Sequence, residues 1–443
     1  MKSRRYKLPL IALSLSLALP AFSQSWFTPE VEKRAEDILK NMTVKERLTY
    51  IGGIDWMYTR AIPRLNVPAI KMSDGPQGVG TWGASTAYPC DLLLAATWNP
   101  DMAYAFGAAL AQDCKARGVN ILLGPAVNIA RAPFCGRNFE YMGEDPFLTA
   151  TTSTGYIKGL QENGVMGVIK HFTANFQEYD RNYVSSNIDE RTLHEIYFPA
   201  FKSAVQNAEV GAVMSSYNLL NGVWTTENPW LLKEVLREQW GFNGLVMSDW
   251  GSTHNCVPAV KNGLDLEMGT WTDGLSWGKT DAYSNYYLAN PLLEKIKSGE
   301  IKEEVVNDKV RRLLRMMFRT SMNTNKPWGS FGTEEHALAG RAIAQNGIVL
   351  LKNDKDLLPI NPDKTKKIAV IGESAVKIMT LGGGSSSLKV KYEVSPLEGL
   401  KNRIGNAAEI TYATGYASPL TDKRDPKYVV PEGYKAPDAE KLM

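Results

Sequence analysis

The run Gly244-Leu245-Val246-Met247 ends on Ser248-Asp249-Trp250-Gly251: an acid at the tip of a buried strand, an indole beside it and a glycine to turn the chain. That pairing suits chemistry on a sugar. A carboxylate can attack or stabilise an electron-poor carbon while the flat ring of Trp250 stacks on the sugar's C–H face. Taken alone, an aspartate capping the next helix would look the same. Four upstream segments that also finish on chemistry-bearing residues give the motif its weight.

The first is Lys71-Met72-Ser73-Asp74, where Gly75-Pro76 turns the chain and aims the Asp74 carboxylate outward, able to accept two hydroxyls of a vicinal diol. The second, Gly136-Arg137-Asn138-Phe139-Glu140-Tyr141-Met142-Gly143-Glu144-Asp145-Pro146, is too rich in charge and aromatics for a plain solvated loop. There the planar fork of Arg137 can hold a sugar hydroxyl or a carboxylate, with Glu144 or Asp145 as structural partners. The third, Gly167-Val168-Ile169-Lys170-His171-Phe172, puts Lys170 and His171 where a strand must be ending if both face one site. Lys170 needs a partner, and Asp74 is a candidate; His171, taken alone, reads first as a satisfied structural histidine. In the fourth, Val213-Met214-Ser215-Ser216-Tyr217-Asn218, Met214 fills the barrel or faces substrate, and the Tyr217 hydroxyl can donate to Asp249.

The elements that must position these groups repeat a pattern without repeating a sequence. Short apolar runs at 67–72, 120–124, 165–169, 211–215, 244–247 and 263–266 alternate with helix-like segments at 99–117, 190–207 and 229–240. Such alternation predicts parallel β-α units. A count approaching eight, with polar residues after many different strands, favours an N-terminal TIM-like (β/α) barrel over a doubly wound sheet. The amphipathic stretch 301–318, with Ile301, Val305, Val306, Val310, Leu313, Leu314, Met317 and Phe318 on one stripe, closes this barrel.

The expected organisation is a signal peptide at 1–23, the barrel at 24–320, a polar linker at 321–335, and at 336–443 an incomplete α/β sandwich with a buried strand at 367–371. Residues 336–346 read as helix and 347–352 as an apolar run. One strong strand is little for a stable α/β domain, hence the expectation that this part is unfinished at Met443. Gly382-Gly383-Gly384-Ser385-Ser386-Ser387 lacks the Gly-Lys-Ser/Thr of a phosphate cradle and fits a mobile loop over the barrel mouth.

Composition narrows the classes. Lys2, Arg4, Arg5 and Lys7, the apolar run 8–19 and Ala21-Phe22-Ser23 have the form of a cleavable export signal, implying a periplasmic or secreted protein. Removing those four basic residues takes the formal charge from +3 to about −1, which gives no reason to expect nucleic acid or an anionic membrane as partner. The apolar run is too short to span a bilayer, and no membrane anchor is expected. Cys90, Cys114, Cys135 and Cys256 are even in number, which allows a disulfide, but lack metal-ligand spacing. No metal or other cofactor is expected, and the oligomeric state is open.

Taken together, the ordered motifs SDGPQG, GRNFEYMGEDP, IKHF, DERTLHEIYFPAF, VMSSYN, GLVMSDW and AQNGIVLLKN resemble those of glycoside hydrolase family 3, over about residues 30–410. The resemblance implies a barrel followed by an α/β sandwich, with sugar bound where they meet. It implies Asp249 as nucleophile of a retaining, exo-acting β-glycosidase and Trp250 as its stacking neighbour. Asp74, Arg137, Lys170 and His171 become hydroxyl-binding residues, and Met214 and Tyr217 line the same subsite. The substrate class would be a β-linked oligosaccharide or an aryl or alkyl β-glycoside. The segment 172–181 lacks the His–Asp pair of the N-acetylglucosamine-removing branch, which points to the β-glucosidase side. β-Xylosidase is the nearest alternative, and a truncated, impaired glycan-binding remnant is an alternative of another class. In the glucosidase branch the acid/base is usually a glutamate late in the sandwich domain, past the region expected here, so no acid/base residue is assigned.

Overall fold

The computed structural model describes residues 28–269, 286–323, 327–377 and 383–415. The export signal read at 1–23, Gly382 of the glycine run and the expected end of the sandwich lie outside them. Five parallel strands form the main sheet in the order β10-β7-β5-β4-β3: β3 Met72–Asp74, β4 Ile121–Leu123, β5 Met166–Phe172, β7 Ala212–Ser215 and β10 Leu245–Met247. They are Val/Ile/Leu/Met-rich and almost wholly buried, as strands covered on both faces must be.

The sheet closes on itself. Beyond β10, the 265–268 segment runs parallel through the Met247–Leu266 bridge. It passes to β1 Gly53–Ile54 through Gly53 N→Glu267 O at 2.9 Å and Glu267 N→Ile51 O at 3.0 Å. β1 pairs antiparallel with β2 Tyr58–Thr59, which returns to β3 through Thr59 N→Ile70 O at 3.0 Å and Met72 N→Met57 O at 2.8 Å. Eight segments therefore ring one core, but not as eight β-α units. Only Asp55, Trp56 and Met57 link β1 to β2, far too few for a parallel crossover, so the chain turns back as a hairpin with positive φ at Asp55 and Trp56.

Helices Pro100–Ala116, Pro146–Glu162 and Pro199–Ala208 pack outside consecutive strands. The helix Glu303–Arg319 buries Val306, Val310, Leu313, Leu314, Met317 and Phe318 as its sequence stripe predicts, while Val305 stays half-buried. Beneath β10 lies a charged knot. Fully buried Asp265 accepts from Val246 N at 2.8 Å, Arg237 at 2.7 Å and Arg312 at 3.0 Å. It ties the last parallel segment and the closing helix to the strand that ends in Asp249.

Above the C-terminal end of β5 and β7, a small sheet joins β6 Ser185–Ser186, β8 Leu219–Leu220 and β9 Val223–Trp224. The second α/β unit pairs β11 Lys367–Ile371 in parallel with β12 Glu409–Ala413. The buried strand expected there is alternately exposed, with Ile371 70% exposed, because β12 is its one partner among the described residues. The apolar run at 348–351 is not a strand either, and its four side chains are exposed. The helix preceding it spans Glu334–Gly347, starting two residues earlier than expected under a Thr333 cap, and belongs to the barrel side. Its Ile343 joins the barrel core, and His336 meets Asp113 at 3.1 Å beside Thr86. All four cysteines are free, so the disulfide allowed by their number is not formed. Among the described residues, no helix is long and apolar enough to cross a membrane and no group of His, Cys, Asp or Glu can hold a metal ion.

Candidate active site

The five strand ends identified in the sequence come together at the C-terminal face of the barrel. Asp74 ends β3, and Gly75 turns the chain at φ +142°, where a Cβ would strike Gly78 O at 1.6 Å. The pairing of β5 with β7 slips between Ile169 and Phe172, and the Lys170–His171 and Phe172–Thr173 peptides are cis. This irregular strand end delivers both Lys170 and His171 to the cluster, each buried.

His171 is the best-held member. Its N–H and Nδ1 lie 2.9 Å and 3.2 Å from Asn128 Oδ1, and its carbonyl accepts from Asn128 Nδ2 at 2.9 Å. Nδ1 therefore carries the proton, and Nε2 accepts from Arg137 Nη2 at 2.9 Å. Burial, then Arg137, Lys170 and Arg181, holds its pKa well below the usual histidine value. The 3.7 Å approach of His171 Nε2 to Asp249 Oδ2 is thus a contact with a neutral ring and not an ion pair.

Arg137 is ion-paired with Glu140 and stands 4.0 Å from Glu178. The structural partners expected in Glu144 or Asp145 are not used: Asp145 instead caps the helix at 146–162 through Leu148 N at 2.7 Å. Its side chain sits before a proline-led helix start, where capping is its cheapest role. Lys170 does act on Asp74, and also on Glu140 and Asp91. Burial raises Asp74 to about 6, against the pull of Lys170, with Asp249 and Glu140 adding to the rise and Arg137 opposing it. Burial works against Glu140 as well, but Arg137, Lys170 and the Ser386 hydroxyl keep it below the ordinary range.

Asp249 lies two residues past β10, 7% exposed, and its Oδ1 accepts Trp250 N at 2.7 Å. Tyr217 is held un-ionised first by burial and then by the charge of Asp249 beside it, with which its hydroxyl interacts directly. The Arg181 guanidinium covers the Tyr217 ring at 4.1 Å. Trp250 is half-buried against the core, its indole N–H donating to Trp56 O at 2.9 Å. Met214 is buried in β7 in register with Met247, within the core.

Sequence reasoning passed over several contributors. Glu140 lay inside the charged loop, flanked by larger signals. Asn128 and Ser386 gave none, since their importance is a matter of what they touch: His171 for the first, and Glu140 Oε2 at 2.7 Å for the second. Ser386 is buried, so the glycine-serine segment does reach the barrel mouth from the second unit. Gly80 permits that approach, because a Cβ there would meet Ser387 O at 2.8 Å. Asp91, fully buried, has both carboxyl oxygens without a partner among the described residues.

Fold and site together define a β/α-barrel protein whose C-terminal face gathers Asp74, Glu140, Lys170, His171 and Asp249 under a segment of a second α/β unit. The comparisons with known proteins place it more narrowly. The model of the glycosyl hydrolase family 3 N-terminal domain matches residues 43–316 and that of the family 3 C-terminal domain matches 348–434, so the chain belongs to glycosyl hydrolase family 3. It is 42% identical to beta-glucosidase BoGH3A of Bacteroides ovatus over 427 residues, covering 91% of this chain and 56% of that protein. A beta-glucosidase of Rhizobium radiobacter is 42% identical over 394 residues, 86% of this chain and 46% of its own. The structure of beta-glucosidase 3B from Thermotoga neapolitana in complex with glucose superposes with a TM-score of 0.78 at 34% identity, covering 85% of this chain and 55% of that one. The chain thus spans about half the length of the relatives it matches.

Proposed function

We propose that this chain carries the sugar-binding and nucleophile-bearing part of an exo-acting, retaining β-glucosidase. The observation behind this is the placement of Asp249 against a neutral, Arg137-held His171, with Tyr217 and Trp250 on its flanks and Asp74 and Lys170 within electrostatic reach. The relatives named beta-glucosidase support the choice of sugar.

In this reading Asp74 accepts a vicinal pair of hydroxyls of the terminal sugar, while Lys170 and Arg137 donate to others. Trp250 covers the ring's apolar side. An Asp249 oxygen forms a bond to the anomeric carbon as the bond to the leaving oxygen breaks, that oxygen taking a proton from a general acid. Water then attacks the glycosyl-enzyme, gives up a proton to the same group acting as base, and frees the sugar with its configuration kept. The general acid is not assigned. Because general acid catalysis is worth roughly 10²–10⁴-fold, substrates with good leaving groups are the fair test of this chain.

Incubation with 2-deoxy-2-fluoro-β-glucosyl fluoride, followed by peptide mass mapping, should find the sugar on the peptide holding Asp249. Asp249→Asn should abolish the label and the hydrolysis of aryl β-glucosides. A label on another carboxylate, or turnover intact in Asp249→Asn, would remove the assignment. We extend the proposal to export: the basic start, apolar run and Ala21-Phe22-Ser23 support a periplasmic or secreted enzyme, tested by N-terminal sequencing of the protein from fractionated cells.

A further inference from the structure

We infer that Trp224, His254 and Tyr183 form a stacking platform for the sugar on the leaving side of the β-glycosidic bond, a second carbohydrate surface beside the cluster. The inference rests on the glycosidase reading above and adds a subsite to it.

The rings of Trp224 and His254 lie face to face, 4.1 Å between centroids and 17° between planes, and Tyr183 is tilted against His254 at 6.5 Å. These rings do not belong to the core: Tyr183 is 67% exposed, and Trp224 and His254 are only half-buried. Nearby on the same loops, Tyr179 and Val223 are exposed as well. The strands that carry this surface are two residues long and are pinned by polar bonds such as Ser216 Oγ→Thr173 O and Ser186 Oγ→Ala174 O, both at 3.0 Å. Exposed flat rings on so polar a framework cost solvation and bring little packing in return, which is the arrangement of a recognition surface.

The platform is fixed to both flanks of Asp249. On one side the Trp224 indole N–H donates to Asn182 O at 3.0 Å, and the preceding residue, Arg181, covers Tyr217, which adjoins Asp249. On the other, His254 ends the loop that starts at Asp249. That loop is held by Ser252 N→Asp249 O at 3.2 Å, Thr226 Oγ1→Ser252 O at 2.9 Å and His254 N→Glu227 Oε1 at 3.0 Å. A group bonded to a sugar seated over Asp249 leaves toward one of these flanks. Burial lowers the His254 pKa, so the stacked ring is a neutral imidazole. Its Nε2 is itself buried and has no hydrogen-bond partner among the described residues, so what the ring offers a sugar is its face. Equatorial hydroxyls leave the faces of a β-linked glucose unit lined by C–H groups, the complement of a flat ring.

The test is binding to Asp249→Asn, which holds ligand without turnover, read calorimetrically with glucose and with a β-1,4-linked glucose disaccharide. The disaccharide should bind about tenfold tighter than glucose. Trp224→Ala and Tyr183→Ala, each in that background, should erase most of this advantage and leave glucose affinity unchanged. Tyr183 is exposed, so its variant folds even if the Trp224 variant does not. In otherwise unaltered protein, the same two changes should leave β-glucosyl fluoride hydrolysis as it was, since fluoride needs no leaving-side contact. Equal weakening of both sugars, or no change in either, overturns the platform. Glucose binding with the disaccharide no tighter overturns the platform alone, whereas failure of both sugars to bind overturns the glycosidase reading as well.

Discussion

Arg137 Nη2 and His171 Nε2 meet at 2.9 Å, and this contact sets the charge beside Asp249. With Asn128 holding Nδ1 as the protonated nitrogen, the imidazole can only accept from the guanidinium, and two cations are never forced together. The neutral ring 3.7 Å from Asp249 adds no positive charge beside that carboxylate.

Asn128→Ala should therefore release the imidazole's tautomer. His171 N, Nδ1 and O lose their partners together, and buried groups left unpaired cost about 1–3 kcal/mol each. The expected outcome is a lower melting temperature together with loss of the single fixed Nδ1–H tautomer. Imidazole ¹⁵N shifts report the tautomer directly, and a neutral Nδ1–H form in the unaltered protein is the baseline. A depressed histidine stabilises the fold fully above the unfolded value of 6.5, and that contribution is lost as pH falls below it.

Asp74 titrates in the opposite sense. Its folded pKa of about 6 lies above the ordinary 3.8, so the fold is stabilised below pH 4 relative to neutral pH and loses that contribution as pH rises through 6. Sugar binding runs against this, because only the ionised carboxylate accepts two hydroxyls. kcat/KM should thus fall below pH 6 through a rise in KM. In Asp74→Asn the limb should vanish and the affinity for glucose should drop at least tenfold, about the worth of one charge-assisted hydrogen bond. A limb that persists unchanged in Asp74→Asn would assign it elsewhere.

The knot under β10 makes a stability prediction independent of any function. Burial alone would raise Asp265, but Arg237, Arg312 and Lys309 overcome it and hold its pKa below the usual range. Asp265→Ala leaves Arg237 buried without its partner and Val246 N without an acceptor, which should cost about 3–5 kcal/mol in urea unfolding. The contribution of Asp265 is complete above pH 4 and lost as the medium is acidified below it. The variant should lose less in acid than the unaltered chain does.

How far these groups could be read from sequence depends on their surroundings. Strands β4, β7 and β10 were legible because both faces are buried, and their runs Ile121–Leu123, Ala212–Ser215 and Leu245–Met247 announce it. The residues at their tips stood out as polar groups directly after apolar ones. The hairpin from β1 to β2 was not legible, since two-residue strands leave no periodicity and the ring closes there through backbone bonds. Asn128 and Ser386 were hidden for a related reason. Their value lies in a single long-range contact each, to His171 and to Glu140, which neither spacing nor composition encodes. The apolar run at 348–351 has the composition of a strand but forms none, with no strand beside it among the described residues.

Asp91 gives the sharpest contradiction between stability and composition. It opens the helix Asp91–Ala96 fully buried, both oxygens lack a partner among the described residues, and burial with the nearby Glu140 charge pushes its pKa well up against the pull of Lys170. Burial thus disfavours its charged form, and it keeps two polar atoms out of water without a hydrogen bond among the described residues, at a cost of about 1–3 kcal/mol. Asp91→Ala removes that cost and only a small volume, so the variant should melt at a higher temperature than the unaltered protein. The gain should widen as pH rises above the ordinary carboxylate value of 3.8, because there the unfolded Asp91 ionises while burial penalises the charge in the fold. If the Asp91 proton is instead what keeps Glu140 and Lys170 in place, the variant will be less stable and will bind glucose more weakly. Thermal melts at pH 5 and pH 8, run beside a glucose titration, separate the two outcomes.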